Sequence, residues 1–277
     1  MEQYAIASNY LIAAATAVLA LAFLAYVAQW AFLRTADVAG GIGTSVTVLA
    51  ALVLGAGVVA RGLAAGRVPW GNMYEFGCAG ILIALIAYLV LLRAWSIDWI
   101  GVAVTGFGTT VLGASMLVYV PAGPLVPALH SYWLVIHVFA AMVAGSAFLI
   151  GGIASALFLL KGRFPDAGFL ARVPGTDVID RIAFRANAFA FPIWTFAALI
   201  AGPIWAQYAW GRYWGWDPKE VWALITWVVY AGYLHARVTA GWKGRAAAWL
   251  ALAGFGCFLF NFIGVNLFVP GLHSYAK

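Results

Sequence analysis

Charge is what this sequence has least of: Asp, Glu, Lys and Arg together make up 9% of its 277 residues, too few to cover the surface of a water-soluble domain. Cysteine is nearly absent as well. The two present, Cys78 and Cys257, lie far apart inside apolar runs, which excludes a disulfide framework. Neither belongs to a Cys-x-x-Cys-His segment, which excludes a covalent c-type haem carried by the chain itself. Internal repeats and low-complexity tracts are missing, so residues 1–277 read as a single domain. The net charge of +6 does not indicate nucleic acid, because the Lys and Arg are scattered over short loops between apolar runs and read as topology signals.

Long apolar runs are what is present. They recur at lengths of about twenty residues, the length a helix needs to cross about 30 Å of hydrocarbon. A membrane barrel would show short alternating segments instead. The expected fold class is therefore an all-α integral membrane protein, a polytopic bundle of about eight transmembrane helices. Those helices fall near residues 9–33, 41–60, 74–92, 99–120, 133–160, 187–206, 219–237 and 246–268. The first run carries Glu2 and no basic residue before it, and is too long for a cleavable signal peptide. One set of loops holds Arg34, Arg93, Lys161, Arg163, Arg172, Arg181, Arg185, Arg237, Lys243 and Arg245; the other holds only Arg61, Arg67, Arg212, Lys219 and Lys277. By the positive-inside rule the first set is cytoplasmic, which puts both termini and the loop near 207–218 outside. The longest cytoplasmic loop would run from Lys161 to Arg185.

Between helices six and seven the sequence is Gly202-Pro-Ile-Trp205-Ala-Gln-Tyr208-Ala-Trp210-Gly-Arg-Tyr213-Trp214-Gly215-Trp216-Asp217-Pro218-Lys219-Glu220-Val-Trp222. An interfacial aromatic belt needs only one or two aromatics per helix end. Five tryptophans and two tyrosines set among glycines suit a large flat apolar ligand better, because glycine lets backbone approach closely and indole offers broad contact. Asp217 reads equally well as the cap of helix seven, with Pro218 in its first turn and Glu220 favourable at the helix dipole.

All four histidines lie in or near apolar runs, where an ionisable group is expensive. His137 is one turn inside helix five and His273 lies just past helix eight, both on the side of the Trp-rich loop. Two imidazoles beside a flat platform match what six-coordinate haem iron requires. Singly, either would read as a hydrogen-bonded interfacial residue. His235 sits at the opposite end of helix seven, where a second haem position or a snorkelling residue beside Arg237 would explain it. His130 falls near Pro124 and Pro127, which favour a loop.

The stretch from Trp205 to Trp222, with Trp214-Gly215-Trp216-Asp217-Pro218-Lys219-Glu220, resembles the WWD signature of haem-handling proteins. Together with Tyr233-Leu234-His235-Ala-Arg237, Gly264-Val-Asn266 and Gly271-Leu272-His273-Ser274-Tyr275, it resembles the CcsA or ResC type of cytochrome c biogenesis protein. Leu125 to Val138 is also similar, and Pro69 to Glu75 resembles a weaker family segment ending in Tyr-Glu. The resemblance implies His137 and His273 as axial ligands of an external haem, and His235 as the membrane histidine of an inner one. It gives no role to His130. Contacts to the porphyrin would come from Trp205, Trp210, Trp214, Trp216, Asp217 and Trp222. It further implies haem b as the bound group and, as partners, a ResB-like (CcsB-type) membrane protein and an apocytochrome c with a CxxCH segment. Cytochrome c synthase (haem lyase) activity would arise only with that partner, in a bacterial plasma membrane or a thylakoid membrane. No general acid or base stands out, so chemistry would rest on positioning haem. A CcmC-type haem delivery protein and a b-type haem electron-transfer subunit are the alternatives.

Overall fold

A computed structural model describes residues 1–31, 36–125 and 129–273. Arg34, Pro127, Ser274, Tyr275 and Lys277 lie outside the described residues. Eight long helices follow in order: α1 (Glu2–Ala31), α2 (Ala36–Ala65), α3 (Met73–Trp95), α4 (Gly101–Leu117), α5 (Tyr132–Arg163), α6 (Thr176–Trp210), α7 (Pro218–Val238) and α8 (Arg245–Phe268). Seven of the described helices are long and apolar enough to cross a membrane. The exception is α7, long enough at 21 residues but carrying Lys219, Glu220, His235 and Arg237. The outward faces stay apolar: Leu21, Leu24, Leu52, Val59, Val90, Phe189 and Val228 are all exposed. This is a multi-pass all-α membrane protein, solvated by lipid along its helices.

Hydroxyls within the helices follow the same constraint. Thr16, Thr47, Thr105, Ser115, Ser146, Ser155, Thr195 and Thr226 each donate to the carbonyl four residues earlier, so these hydroxyls are satisfied within their own helices.

The chain divides into two compact units, Met1–Pro124 and Leu125–Lys277. In the first, α1 packs on α2 and α4, and α3 packs on α2 and α4. Its polar centre is a buried carboxylate shared by two cations. Arg61 Nε donates to Glu75 Oε1 at 3.0 Å and Arg67 Nη1 to Glu75 Oε2 at 2.7 Å, while the Gly71 amide donates to Glu75 Oε2 at 2.9 Å. Arg61 also donates to the Val120 carbonyl and lies over the rings of Tyr74 and Tyr119. Asn72 caps α3 by accepting from the Glu75 amide. One carboxylate thus ties the start of α3 to the segments at both of its flanks. Arg61, read from sequence as a topology signal in a loop, is an internal residue of α2, 1% exposed.

In the second unit α5 packs on α6 and α8, and α7 on α6 and α8. Phe148, Trp194, Tyr230 and Tyr233 fill the centre, with Phe148 and Tyr230 stacked at 3.8 Å. The largest departure from the sequence reading is the start of α6, at Thr176 rather than near 187. The hydropathy count misses its first turns because only one face is apolar: Ile179, Ile182, Ala183 and Ala186 are buried at helical spacing while Asp177 and Arg181 stay exposed. Arg181 and Arg185 therefore lie on a helix, and the expected loop shrinks to residues 164–175. Arg237 is likewise internal, its Nη1 donating to both carboxylate oxygens of Asp180 at 2.8 and 2.9 Å.

Removing one member of a buried ion pair strands the other, at a cost of about 3–5 kcal/mol. Glu75→Ala is accordingly expected to reduce the amount of protein in the membrane and to lower the melting temperature in detergent sharply. Arg67→Gln, whose side chain is 15% exposed, should cost clearly less. Equal losses in a thermal-shift comparison would show that the shared carboxylate is not the anchor.

Candidate functional site

The site forms where α6 ends, α7 begins and the segment after α8 returns. Helix α6 departs from α-geometry at Phe196–Ala201, a π-helical segment between Pro192 and Pro203. Each proline withdraws an N–H from the ladder, and the wider turn accommodates the mismatch. The consequence is local. The Ala197 carbonyl is turned so that it accepts both the Gly202 amide and, from α5, the Nδ1 of His137 at 2.9 Å. Gly202 makes that approach possible: a Cβ there would stand 3.2 Å from the imidazole.

Helix α6 then stops at Gly211, whose φ of 72° supplies the left-handed cap that other residues adopt only under strain. The link to α7 is short. Asp217 accepts from the Lys219 amide at 3.0 Å, and Glu220 accepts from the amides of Gly215 and Asp217 at 2.8 and 3.0 Å, a complete capping box with Pro218 in the first turn. The cap expected from sequence is therefore present, and it does more than cap. Asp217 Oδ2 accepts from the Leu272 amide at 2.6 Å, and Oδ1 from His273 Nδ1 at 2.7 Å. Gly271 allows the approach, since a Cβ there would meet Asp217 Oδ2 at 2.7 Å. Capping and histidine anchoring are one interaction.

Both imidazoles are thus held by Nδ1 against an oxygen that can only accept, which puts the lone pair of each ring on Nε2. A single indole connects them. Trp205 stacks on His137 at 5.9 Å and 9° and lies 5.6 Å from His273, and Trp210 meets Trp205 and His273 at 4.8 and 4.9 Å. Burial and the nearby Lys219 charge lower the basicity of His273 more than Asp217 raises it, so its pKa lies below the ordinary 6.5. Burial pushes the Asp217 carboxyl up, but the His273 contact and the Leu272 and Lys219 amides outweigh it, and it ionises below the usual 3.8. The pair is carboxylate and neutral imidazole at neutral pH, the form that binds a metal.

Of the candidates read from sequence, the structure brings together His137, His273, Trp205, Trp210 and Asp217. Trp214 and Trp216 meet each other edge to face at 5.8 Å in the loop, and Trp222 packs on Phe260 at 4.3 Å. Trp205 and Trp210 are not loop residues: they belong to the last turns of α6, and Trp205 is 3% exposed, a buried wall behind the histidines. Trp216 is 68% exposed and holds φ 56°, a left-handed conformation costly for a bulky residue. His235 stands exposed near the other end of α7, about 25 Å along the axis from Pro218 at 1.5 Å per residue. His130 Nε2 donates to the Leu125 carbonyl oxygen, 3.1 Å away. Gly202, Gly271 and the Ala197 carbonyl were not legible as site groups; the spacing of Pro192 and Pro203 was the available hint.

Among the described residues no cluster of three or more His, Cys, Asp or Glu side chains could hold a metal ion. Two imidazoles can complete a shell only for a metal that brings its other ligands along. A porphyrin, which supplies four equatorial nitrogens and a flat face, meets that condition.

The comparisons with known proteins agree in direction. The profile of a family described as Cytochrome C assembly protein matches residues 70–273. A "Cytochrome c biogenesis protein CcsA" from Synechococcus sp. (strain CC9902) is 35% identical over 270 residues, covering 87% of this chain and 88% of the relative. One from Guillardia theta is 36% identical over 261 residues, covering 84% and 85%. Among solved structures, "Cytochrome c Heme Lyase CcmF" is similar in fold, with a TM-score of 0.68 and 18% identity over 98% of this chain and 50% of that one.

Two outcomes follow from the geometry. Gly202→Ala must displace the His137 ring and should weaken any ligand held through it, with a shifted absorption spectrum as the readout and Gly256→Ala, where an added Cβ meets nothing within 4 Å, as the comparison. On acidification, a group whose folded pKa is depressed gives stability that is present above its ordinary value and lost below it. The melting temperature in detergent should therefore be level above pH 6.5, fall as pH drops below 6.5 through His273, and fall again below 3.8 through Asp217. His273→Gln should remove the first step and, because the His273 contact helps hold the Asp217 carboxyl low, weaken the second.

Proposed function

The chain belongs to the cytochrome C assembly protein family, and from that premise we propose that it is the haem-binding membrane subunit of a cytochrome c synthase. The role in cytochrome c biogenesis follows from the family. The finer reading is that residues 1–277 act as one haem-handling domain whose WWD segment, 202–222, presents haem b to an apocytochrome. The observation that carries it is the pair of imidazoles, His137 and His273, each anchored through Nδ1 beside the same buried indole.

His137 and His273 hold the iron by Nε2, with Asp217 fixing the tautomer of one and the Ala197 carbonyl that of the other. Trp210, Trp214 and Trp216 offer ring contact, Trp205 supports the histidines, and Trp222 supports the start of α7 through Phe260. When bound, haem supplies two vinyl groups. A thiol of the CxxCH segment adds across each: the S–H bond breaks, an S–C bond forms at one vinyl carbon, and a proton goes to the other. The addition is redox-neutral and demands no general acid or base of the chain beyond orientation. A ResB-like membrane partner completes the synthase. His235, which is exposed on the Val228, Gly232 and Val238 face of α7, serves in this proposal an inner haem site shared with that partner before export. The WWD segment and both termini lie on the outer side of a bacterial plasma membrane or a thylakoid membrane, following the positive-inside reading.

Co-expression with a ResB-like protein and a reporter apocytochrome tests this reading. Covalent haem on the reporter is expected with the wild-type chain. A CcmC-like delivery protein or a b-type electron-transfer subunit would give none. His137→Ala and His273→Ala should each abolish attachment, with partial recovery on added imidazole, and unchanged haem spectra in both would remove the ligand assignment. His235→Ala should lower the haem content of the purified complex while the outer site still takes haem supplied externally. Full endogenous haem in that variant would leave His235 as an interfacial residue.

A further inference from the structure

Resting on the haem reading above, we propose that Lys219 recognises a propionate carboxylate of the porphyrin held at His137 and His273, and so sets which edge of the ring faces outward. Lys219 is the second residue of α7 and is half-buried. A cation in the first turn opposes the helix dipole, so this position disfavours it unless an anion arrives to offset the repulsion. No neighbouring carboxylate pairs with it directly. Asp217 is occupied by the Lys219 and Leu272 amides and by His273, and Glu220 by the amides of Gly215 and Asp217. Among the described residues no carboxylate lies within 4.0 Å of the Lys219 ammonium.

Its backbone is nonetheless tied to the site: the Lys219 amide donates to the same Asp217 Oδ1, at 3.0 Å, that accepts from His273 Nδ1 at 2.7 Å. The other cation of this segment, Arg212, is exposed and lies across Gly215, where solvent and salt screen it. A haem carries its two propionates on one edge and its vinyl groups on the side away from them. Fixing a propionate against the first turn of α7 therefore turns the vinyl edge away from the helix, toward an incoming thiol. Lys219 is a specificity-determining residue, and its partner chemistry is a carboxylate on a flat apolar ring.

The test uses the purified full-length chain in detergent, titrated with haem and with haem dimethyl ester, whose propionates are uncharged. Wild type is expected to bind haem about tenfold more tightly than the ester, the scale of one charge-assisted contact. Lys219→Met should lower haem affinity by a similar factor and abolish the preference, Lys219→Arg should keep it, and Arg212→Gln should leave it unchanged. Lys219→Gln, still long and polar, covers disturbance of the helix start by Met. A wild-type preference surviving in both uncharged variants overturns the Lys219 assignment alone. Failure of the wild-type chain to give a two-histidine spectrum with either porphyrin overturns the haem reading along with it.

Discussion

The Asp217 carboxylate is the contact on which the site depends. It is 5% exposed, yet it carries charge, and what stabilises it is a fan of donors rather than a cation: two backbone amides and one imidazole. Two of its duties are separable on paper and inseparable in the fold. Capping α7 fixes where that helix starts; holding Leu272 and His273 fixes where the chain ends up after α8. Because one group does both, the first turn of α7 and the last described residues of the chain share a single frame. His273 needs such a frame, since it lies beyond Phe268, where α8 ends, and has no long helix of its own to orient it.

His137 is oriented by a different device with the same result. Its acceptor is a main-chain oxygen exposed by a π-segment, and a second π-segment, Phe260–Gly264, interrupts α8 on its way to the site. Phe260, at the start of that second segment, is the ring on which Trp222 packs. In lipid an irregular backbone is tolerated only where protein covers it and every polar group finds a partner. Both irregularities occur in helices that converge on the histidines, and in the first the extra acceptor capacity is used by an imidazole. The departures from ideal helix thus fall where the two histidines are anchored.

Much of this was legible in the residues. Run length alone separates the eight helices, and the Trp-rich stretch with His137 and His273 singles out the site. The reading went astray where a pattern mixes two signals. The first turns of α6 are amphipathic, so a count of apolar residues starts the helix about eleven residues late, although Ile179, Ile182, Ala183 and Ala186 carry the stripe. Arg61 looked like a loop cation because charge in a membrane protein is first a topology signal, whereas its burial depends on Glu75, a partner fourteen residues away that no local pattern announces. Trp205 belonged by composition to a platform, but a side chain's exposure depends on which way α6 turns its last residues, and the π-segment that sets this turn has no sequence pattern beyond the two prolines.

Helix α7 shows why these pieces had to be built together. It carries polar groups at both ends, enough to fall outside the seven helices apolar enough to cross a membrane by themselves. Such a helix is held by its neighbours or not at all. Its inner face is tied to α6 at three levels: the Trp194 indole donates to the Ala223 carbonyl, the Trp227 indole to Thr195, and Arg237 to Asp180. Those links run along most of the helix length, so rotating α7 to bring any one residue elsewhere breaks contacts at the others. Its outer face, with Val228, Gly232 and His235, makes no such ties. The polar first turn is therefore locked in register with the end of α6 that carries Trp205 and Trp210, while the far end leaves a histidine on the open side. A single helix, too polar to stand alone, sets the distance between the histidine pair at its start and His235 near its far end.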